Sequence, residues 1–436
     1  MSNSRELHCI LVGAGPAGMG ALVAALQTGR LERILSRGIA VVEGSDRIGS
    51  GSLGNYSLRS DSPASSFLEC LEAGPARTVL GHLLDRPHVR TLLAQREAHV
   101  PLELVARLLE EVAHAMRGVF ERFPESRFLA GHFARSLEAT RQGTWRVKIE
   151  SSTGVDSVLK ARHVVLALGA RQVRTEALES ELIPDLRLDD RWAQRVMLSG
   201  ELLSKEGRLK LRRTLERAGS RARVVVIGSS HSAFSSAVTA LEVAQGLPLQ
   251  REAITIAYRN RLRVFYPSPQ QARSDGYREF GPEDVCPRTG RLHRLGGLRG
   301  DGRELCRASL GLGGLAPDER VRLTALRTFH EQPQVLRELL ESATCIVPAF
   351  GYRARTLPAR DGQGDPIRLE AFGQRRLVDA ASRVLDSRGR IVPGLMGIGL
   401  ASGYLPEGEA SFRGHTNGVW LYQNDTGATL LRGIGV

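Results

Sequence analysis

The chain has 436 residues, too many for one small core and enough for two or three domains of about 150 residues each. An apolar share of 42% and a charged share of 25% are those of an ordinary folded protein and exclude wholesale disorder. Against 47 acidic residues stand 60 basic ones, a net charge of +13, mostly arginine and spread along the chain. No basic block or aromatic-interleaved stripe accompanies it, which speaks against nucleic acid as a partner. Two readings of the charge remain: a solvated surface of biased composition, or a positive field that concentrates an acidic ligand or an acidic protein partner. The longest apolar runs, residues 224–227 and 164–168, are strand-length, far below the roughly 20 residues of a membrane span. Residues 1–7 are polar and carry no legible leader. The five cysteines (Cys9, Cys70, Cys286, Cys306, Cys345) form no C-x-x-C pair, so neither a dithiol redox centre nor a zinc site is expected, and a cytoplasmic protein with reduced thiols is.

Residues 8–12 predict a short buried strand. It runs into Gly13-Ala14-Gly15-Pro16-Ala17-Gly18, and residues 19–27 continue as an alanine- and leucine-rich helix. Strand, G-x-G-x-x-G and helix in this order suit a dinucleotide: Gly13 permits the tight turn, Gly15 lets the backbone approach a pyrophosphate, and Gly18 lets helix and strand pack closely. Residues 39–42 predict a second apolar strand ending in Glu43, whose carboxylate would accept hydrogen bonds from a ribose. Glu43 stands 25 positions beyond Gly18, against about 20 in the usual spacing, and residues 31–38 read as an insertion that accounts for the excess. The plain alternative is a glycine-rich turn with a capped helix and a surface glutamate.

Residues 56–60 predict a short strand leading to Asp61, which is either a polar group for chemistry or a helix N-cap ahead of Pro63. Helices are expected over residues 63–71 and 100–116. Trp145, Val147 and Ile149 alternate with Arg146, Lys148 and Glu150, the pattern of a half-buried strand. Gly154 marks a turn before a partner strand near Val158, and residues 162–168 predict a third buried strand closing in Ala167-Leu168-Gly169-Ala170.

The opening pattern then recurs. Residues 223–227 predict a buried strand, followed by Gly228-Ser229-Ser230-His231-Ser232-Ala233 and a helix over 234–244. Serine and alanine at the second and third glycine positions are small enough to serve. The next strand, 253–257, ends at Tyr258-Arg259-Asn260-Arg261-Leu262-Arg263. A carboxylate there would select a free 2′-hydroxyl, whereas arginine accommodates a 2′-phosphate. The first turn therefore suits an FAD-like ribose and the second suits NADPH; the alternative is a packed α/β unit with solvated arginines. Residues 345–352, Cys-Ile-Val-Pro-Ala-Phe-Gly-Tyr, repeat the closing pattern of residues 162–170. A turn signal at 384–389 leads into a glycine-rich strand and loop at 394–403, and a final helix is expected within 411–423, near His415-Thr416-Asn417.

These elements, over nearly the whole chain, resemble the flavin-dependent, NAD(P)H-using oxidoreductases of the two-dinucleotide-binding-domain superfamily. Within it the chain is similar to the class B flavoprotein monooxygenases, particularly the ornithine- and lysine-type N-hydroxylases. Four stretches carry the likeness: Gly13–Gly18 with Pro16; Ser62-Pro63-Ala64-Ser65-Ser66-Phe67-Leu68-Glu69-Cys70-Leu71; the turn from Gly228 to Ala233; and Ala349-Phe350-Gly351-Tyr352, where Phe350 replaces threonine. The chain departs from the pattern where Gly397-Ile398-Gly399-Leu400 stands in place of an aspartate common in the superfamily. It has no F-x-G-x-x-x-H-x-x-x-W/Y fingerprint between the two turns, which counts against Baeyer–Villiger and xenobiotic monooxygenases, and no cysteine pair, which excludes disulfide reductases.

The resemblance implies an α/β protein with two Rossmann-like domains. The FAD domain is discontinuous, residues 1–175 with a helical insertion over about 62–130 and then 346–436, around an NAD(P)H domain at 176–345. It implies FAD held by Gly13, Gly15, Pro16, Ala17, Gly18, Glu43 and Gly399, and NADPH held by Gly228, Ser229, Ser230, His231, Ser232, Arg259 and Arg261. Ser60, Asp61, His415 and Asn417 are the polar residues it brings toward the chemistry, each with a structural alternative. Reduced flavin and O2 would deliver one oxygen atom to a small-molecule substrate: a small amine or amino acid, or a larger biosynthetic intermediate tethered to an acidic carrier protein. Two other classes stay open: an FAD-dependent dehydrogenase or oxidase with a structural second unit, and a flavin-bearing subunit without catalysis.

Overall fold

The computed structural model describes residues 6–72, 74–183, 186–188, 190–287, 289–294, 296–326, 333–369, 376–399, 402–404 and 426–436. The chain divides into two compact units. One comprises Met1–Gly54, Pro63–Arg171 and Tyr352–Val436, the other Asn55–Ser62 and Gln172–Gly351.

In the first unit, β1 (Leu7–Val12) is nearly continuous in apolar residues because both of its faces are covered. Cys9 and Leu11 join the core that includes α1 (Pro16–Gln27), while Ile10 and Val12 join the opposite core around Trp145 and Val147. A central parallel strand requires this two-sided burial. β2 (Ile39–Glu43) lies parallel to β1, with Cys9 opposite Ile39 and Val12 opposite Val42. β3 (Arg127–Ala130) continues the parallel sheet, placing Ala130 opposite Glu43. The residues expected to be an insertion form a short helix, Leu31–Ser36.

An antiparallel meander of β4 (His132–Ala139), β5 (Trp145–Ser151) and β6 (Asp156–Leu166) adjoins this parallel core. The two strands expected near Val158 and over 162–168 are one continuous strand, β6. No glycine or proline interrupts residues 156–166, so nothing stops the ladder. Up to Ala161 β6 pairs antiparallel with β5; from Ala161 it pairs parallel with β1, and from Val164 also with the strand Ile391–Gly397.

Helices α2 (Ser65–Glu72) and α3 (Leu102–Phe120) bury Leu68, Leu71, Leu108, Val112 and Met116 in the same core as α1. α2 begins at Ser65 because Pro63 ends a short strand, Arg59–Pro63. Asp61 therefore lies within that strand and caps no helix, which corrects the N-cap alternative.

The second unit is built on a four-stranded parallel sheet. β7 (Val224–Ile227) lies between β8 (Ile254–Tyr258) and β10 (Cys345–Pro348), and β9 (Val321–Ala325) flanks β8. α4 (His231–Val243) starts three residues before the position read from sequence and packs Phe234, Ala237 and Ala240 with Val224 and Val226. Val225 and Ile227 face the other way, onto Trp192, Leu336 and Leu340. Among the described residues no helix is long and apolar enough to cross a membrane.

The turn after β1 is held by backbone contact. Gly13 has φ +105°, and a Cβ on it would lie 2.3 Å from the carbonyl oxygen of Ala167; a Cβ on Gly18 would lie 2.1 Å from the carbonyl oxygen of Gly13. Substituting Gly18→Ala is expected to cost roughly 1–3 kcal/mol through overpacking, read as a lower urea midpoint of the purified protein. An unchanged midpoint would contradict the contact.

Candidate functional site

The turn at the head of α1 contains three glycines with two different duties. Gly13 and Gly18 are demanded by the protein's own packing, as above. Gly15 is not: the nearest atom to a Cβ built on it is Gly51 Cα, at 3.6 Å. Its bare backbone leaves space beside the turn rather than filling it. Gly15 is also the N-cap of α1; no side chain caps that end and its first turn holds no acid. The free N–H groups and positive end of a 12-residue helix thus open onto that space. At the tip of β2, Glu43 is pinned from both sides: Oε2 accepts the Ala14 N–H (2.7 Å) and Oε1 accepts the Ser45 N–H (2.9 Å). An anion-attracting helix end beside a fixed carboxylate fits the pyrophosphate and ribose of FAD. Gly399, with φ +132°, likewise has no atom within 4 Å of the Cβ it lacks.

The second turn repeats the device. A Cβ on Gly228 (φ +151°) would lie 2.8 Å from the carbonyl oxygen of Ala349, as Gly13 meets that of Ala167. Ser230 is the N-cap of α4, again with no side-chain cap and no acid in the first turn. Ser232 offers its carbonyl to the Ser236 hydroxyl, 2.7 Å away. His231, the first residue of α4, points its Nε2 into protein, where it makes no hydrogen bond among the described residues. That nitrogen lies 3.7 Å from Asp61 Oδ2, while the rest of the side chain is about one-third exposed. Burial lowers the His231 pKa, the nearby Asp61 opposes this, and Arg299 reinforces it. Uncapped and without internal anions, this end of α4 fits the phosphates of NADPH.

The arginines past β8 are not equivalent. Arg259 is exposed at the strand end. Arg261 donates from Nη2 to Asp284 Oδ2 at 2.6 Å, a carboxylate only 10% exposed that also approaches His293 Nδ1 at 3.4 Å. Ser60 is buried and its hydroxyl accepts the Ser62 N–H at 3.0 Å; Asp61 accepts from the Ser62 hydroxyl at 3.2 Å and is half exposed. His415 and Asn417 lie outside the described residues. None of the five cysteines forms a disulfide, and burial raises the thiols of Cys9, Cys306 and Cys345 to about 12, so those three are poor nucleophiles. Among the described residues no three His, Cys, Asp or Glu side chains are grouped to hold a metal.

No family model matches the chain. It is 35% identical over 441 residues to the CMP-5′-(3-aminopropyl)phosphonate hydroxylase of Streptomyces rubellomurinus, an alignment that covers 98% of this chain and 96% of that protein. The chain belongs to the family of this hydroxylase. Among solved structures it resembles the FAD-bound cadaverine monooxygenase of Erwinia amylovora (TM-score 0.56, 13% identity, 99% of this chain and 95% of that one). It also resembles the Kutzneria sp. 744 ornithine N-hydroxylase bearing reduced FAD, NADP+ and L-ornithine (TM-score 0.55, 14% identity, 99% of both chains). At this identity the likeness is one of fold, and it bears out the two-dinucleotide-binding-domain architecture. Family membership bears out an enzyme of the monooxygenase class.

Two groups in this hydroxylase-family chain carry no sequence signal of their own. Arg299 acts on His231 from 68 positions further along the chain. Glu69, on α2 within the stretch that carries the family likeness, has its carboxyl raised to about 7 by burial, with Glu72 adding repulsion. Only the fold buries it, so its spacing reveals nothing. A carboxyl poised near neutrality is a feature of functional sites. Because its folded pKa lies above the ordinary 4.5, Glu69 favours the native state below about pH 4.5 and that contribution is lost as pH rises through about 7. In Glu69→Gln the melting temperature should therefore gain on the native chain between about pH 5 and pH 8 and hold its lead above that. A difference that does not change with pH would rule this out.

Proposed function

We propose that the chain is an FAD-dependent, NADPH-using monooxygenase that hydroxylates the primary amine of an aminoalkylphosphonate carried on a nucleotide. The observation that carries this reading is 35% identity, over 98% of the chain, to a hydroxylase named for such a substrate. The two uncapped helix ends support it, because each suits one of the two dinucleotides. The overall reaction balances as R–NH2 + O2 + NADPH + H+ giving R–NHOH + NADP+ + H2O. Bound FAD would supply the electron acceptance from NADPH and the activation of O2.

The chain's own residues bind and orient. The backbone from Gly13 to Gly18 receives one pyrophosphate and Glu43 its adenosine ribose; the backbone from Gly228 to Ser232 receives the other. Arg259 meets the 2′-phosphate, since Arg261 is already engaged by Asp284. Asp61 acts by holding His231 and Arg299 in place rather than by exchanging protons with substrate. The net charge of +13 favours a substrate rich in phosphoryl oxygens. An acidic carrier protein is the other tether of that charge type, and the mass of the hydroxylated species separates the two. Cysteines free of disulfides and a need for NADPH and O2 fit a cytoplasmic site of action.

Purified, FAD-loaded enzyme should consume NADPH faster when offered a CMP-linked aminoalkylphosphonate and yield a hydroxylamine bearing one atom of isotopically labelled O2. Reduction of the flavin by the amine itself without NADPH would instead favour the dehydrogenase or oxidase. For Arg259→Ala, the KM for NADPH should rise roughly tenfold, the scale of one lost charged hydrogen bond, with little change for NADH. Equal rises for both nucleotides would remove Arg259 from the 2′-phosphate.

A further inference from the structure

Two consecutive residues just beyond Arg259, Arg261 and Leu262, are clamped from further along the second unit. Arg261 donates to Asp284 Oδ2 at 2.6 Å, and the Gly281 N–H donates to the same oxygen at 2.9 Å. The Leu262 carbonyl accepts the Tyr277 hydroxyl at 2.7 Å. Tyr277 is buried, and its ring stacks on those of Tyr266 and Phe280, with centroids 5.6 and 6.0 Å away.

Both clamps meet one histidine. His293 is buried, with Nδ1 3.4 Å from Asp284 Oδ1 and Nε2 3.2 Å from the Tyr277 hydroxyl. Its backbone is pinned as well. The His293 N–H donates to the Asp284 carbonyl at 2.9 Å. Its φ is +48°, an uncommon conformation for any residue but glycine. Gly297 lies against it so closely that a Cβ there would stand 2.8 Å from the Cβ and from the carbonyl oxygen of His293.

One protonation state of His293 completes both clamps. The Tyr277 hydroxyl has a single proton, for which the Leu262 carbonyl is the nearest acceptor and the Glu279 carbonyl, at 3.2 Å, another. A neutral ring protonated at Nδ1 donates to Asp284, but its bare Nε2 competes with Leu262 for that proton. A neutral ring protonated at Nε2 leaves the proton to Leu262 but turns a lone pair toward the Asp284 carboxylate. The imidazolium donates on both sides. Burial lowers the His293 pKa below the ordinary 6.5; Asp284 opposes this, and Arg261 and Arg263 reinforce it.

We propose that His293 is a positioning residue for NADPH: its proton closes the Asp284 and Tyr277 clamps on residues 261–262 and so fixes Arg259 to meet the 2′-phosphate. Binding of that phosphate then favours the protonated ring, so the clamp tightens NADP+ as pH falls through the His293 titration. NAD+ has no phosphate there and gains nothing from it. The inference rests on the assignment of Arg259 made above.

Equilibrium titration of the FAD-loaded enzyme with NADP+ and with NAD+, in steps between about pH 5.5 and 8, tests it without turnover. The 2′-phosphate takes up a proton of its own near about pH 6, so the native chain is compared with variants at each pH. His293→Asn removes the titrating ring and keeps a residue that tolerates the left-handed backbone. Tyr277→Phe removes the shared hydroxyl. The native advantage over either variant in NADP+ affinity should grow roughly fivefold from the top of that range to the bottom, the scale of one hydrogen bond. The same comparison with NAD+ should show no such growth. Where His293→Asn loses its cooperative melt, Tyr277→Phe decides. A native-to-variant ratio for NADP+ that stays constant with pH overturns the role of His293 and leaves Arg259 standing if NADP+ is still preferred. Equal affinity of the native chain for NADP+ and NAD+ at every pH overturns both.

Discussion

The close approach of two backbones organises each unit. After β1, Gly13 passes so near the carbonyl of Ala167 that a Cβ would stand 2.3 Å from its oxygen; after β7, Gly228 does the same to Ala349 at 2.8 Å. Both carbonyls belong to the residue just after a neighbouring parallel strand, β6 in one unit and β10 in the other. The helix that follows must start at once, and it starts without a capping side chain. The orphan N–H groups that a Ser or Asp cap would normally satisfy are left for a ligand. Tight packing on one side of the turn thereby goes with an uncapped, positive helix end on the other.

What distinguishes the two turns is the charge placed at the end of the next strand. Glu43 is a carboxylate clamped by two backbone N–H groups. The corresponding end of β8 carries arginines, one of them anchored by the nearly buried carboxylate of Asp284. The segment from Arg259 to Leu312 holds eleven arginines against six carboxylates, so much of the chain's positive excess is concentrated beside the second turn. Several of those arginines have fixed partners: Arg307 bridges Asp275 and Glu304, and Arg303 lies over Tyr266 while pairing with Glu304. Arg299 lies instead over Phe265 and donates to the Arg294 carbonyl.

The likeness to the cadaverine monooxygenase and the ornithine N-hydroxylase is carried by fold at 13–14% identity, and fold does not set the substrate. The family relation is carried by sequence at 35%. The difference between a free diamine and an amine on an anionic handle is a difference in charge.

Much of the architecture was legible because it is local. Strand, glycine turn and helix are contiguous, and a strand buried on both faces must be apolar throughout, so β1, β2, β7 and β8 and both dinucleotide turns could be read directly from residue order. Glu43 was legible for the same reason, since it ends the strand that follows its turn. Continuity of β6 was not, because an apolar run beside a polar one looks like two strands when each half has a different partner. Tertiary structure alone decided that Asp61, His231 and Arg299, scattered over 239 positions, share one electrostatic neighbourhood. It alone decided that Arg261 is spent on Asp284 while Arg259 is not, and that Glu69 is buried enough to titrate near neutrality. Backbone geometry is dictated by neighbours in the chain, whereas desolvation and charge pairing depend on what the fold carries in from far away.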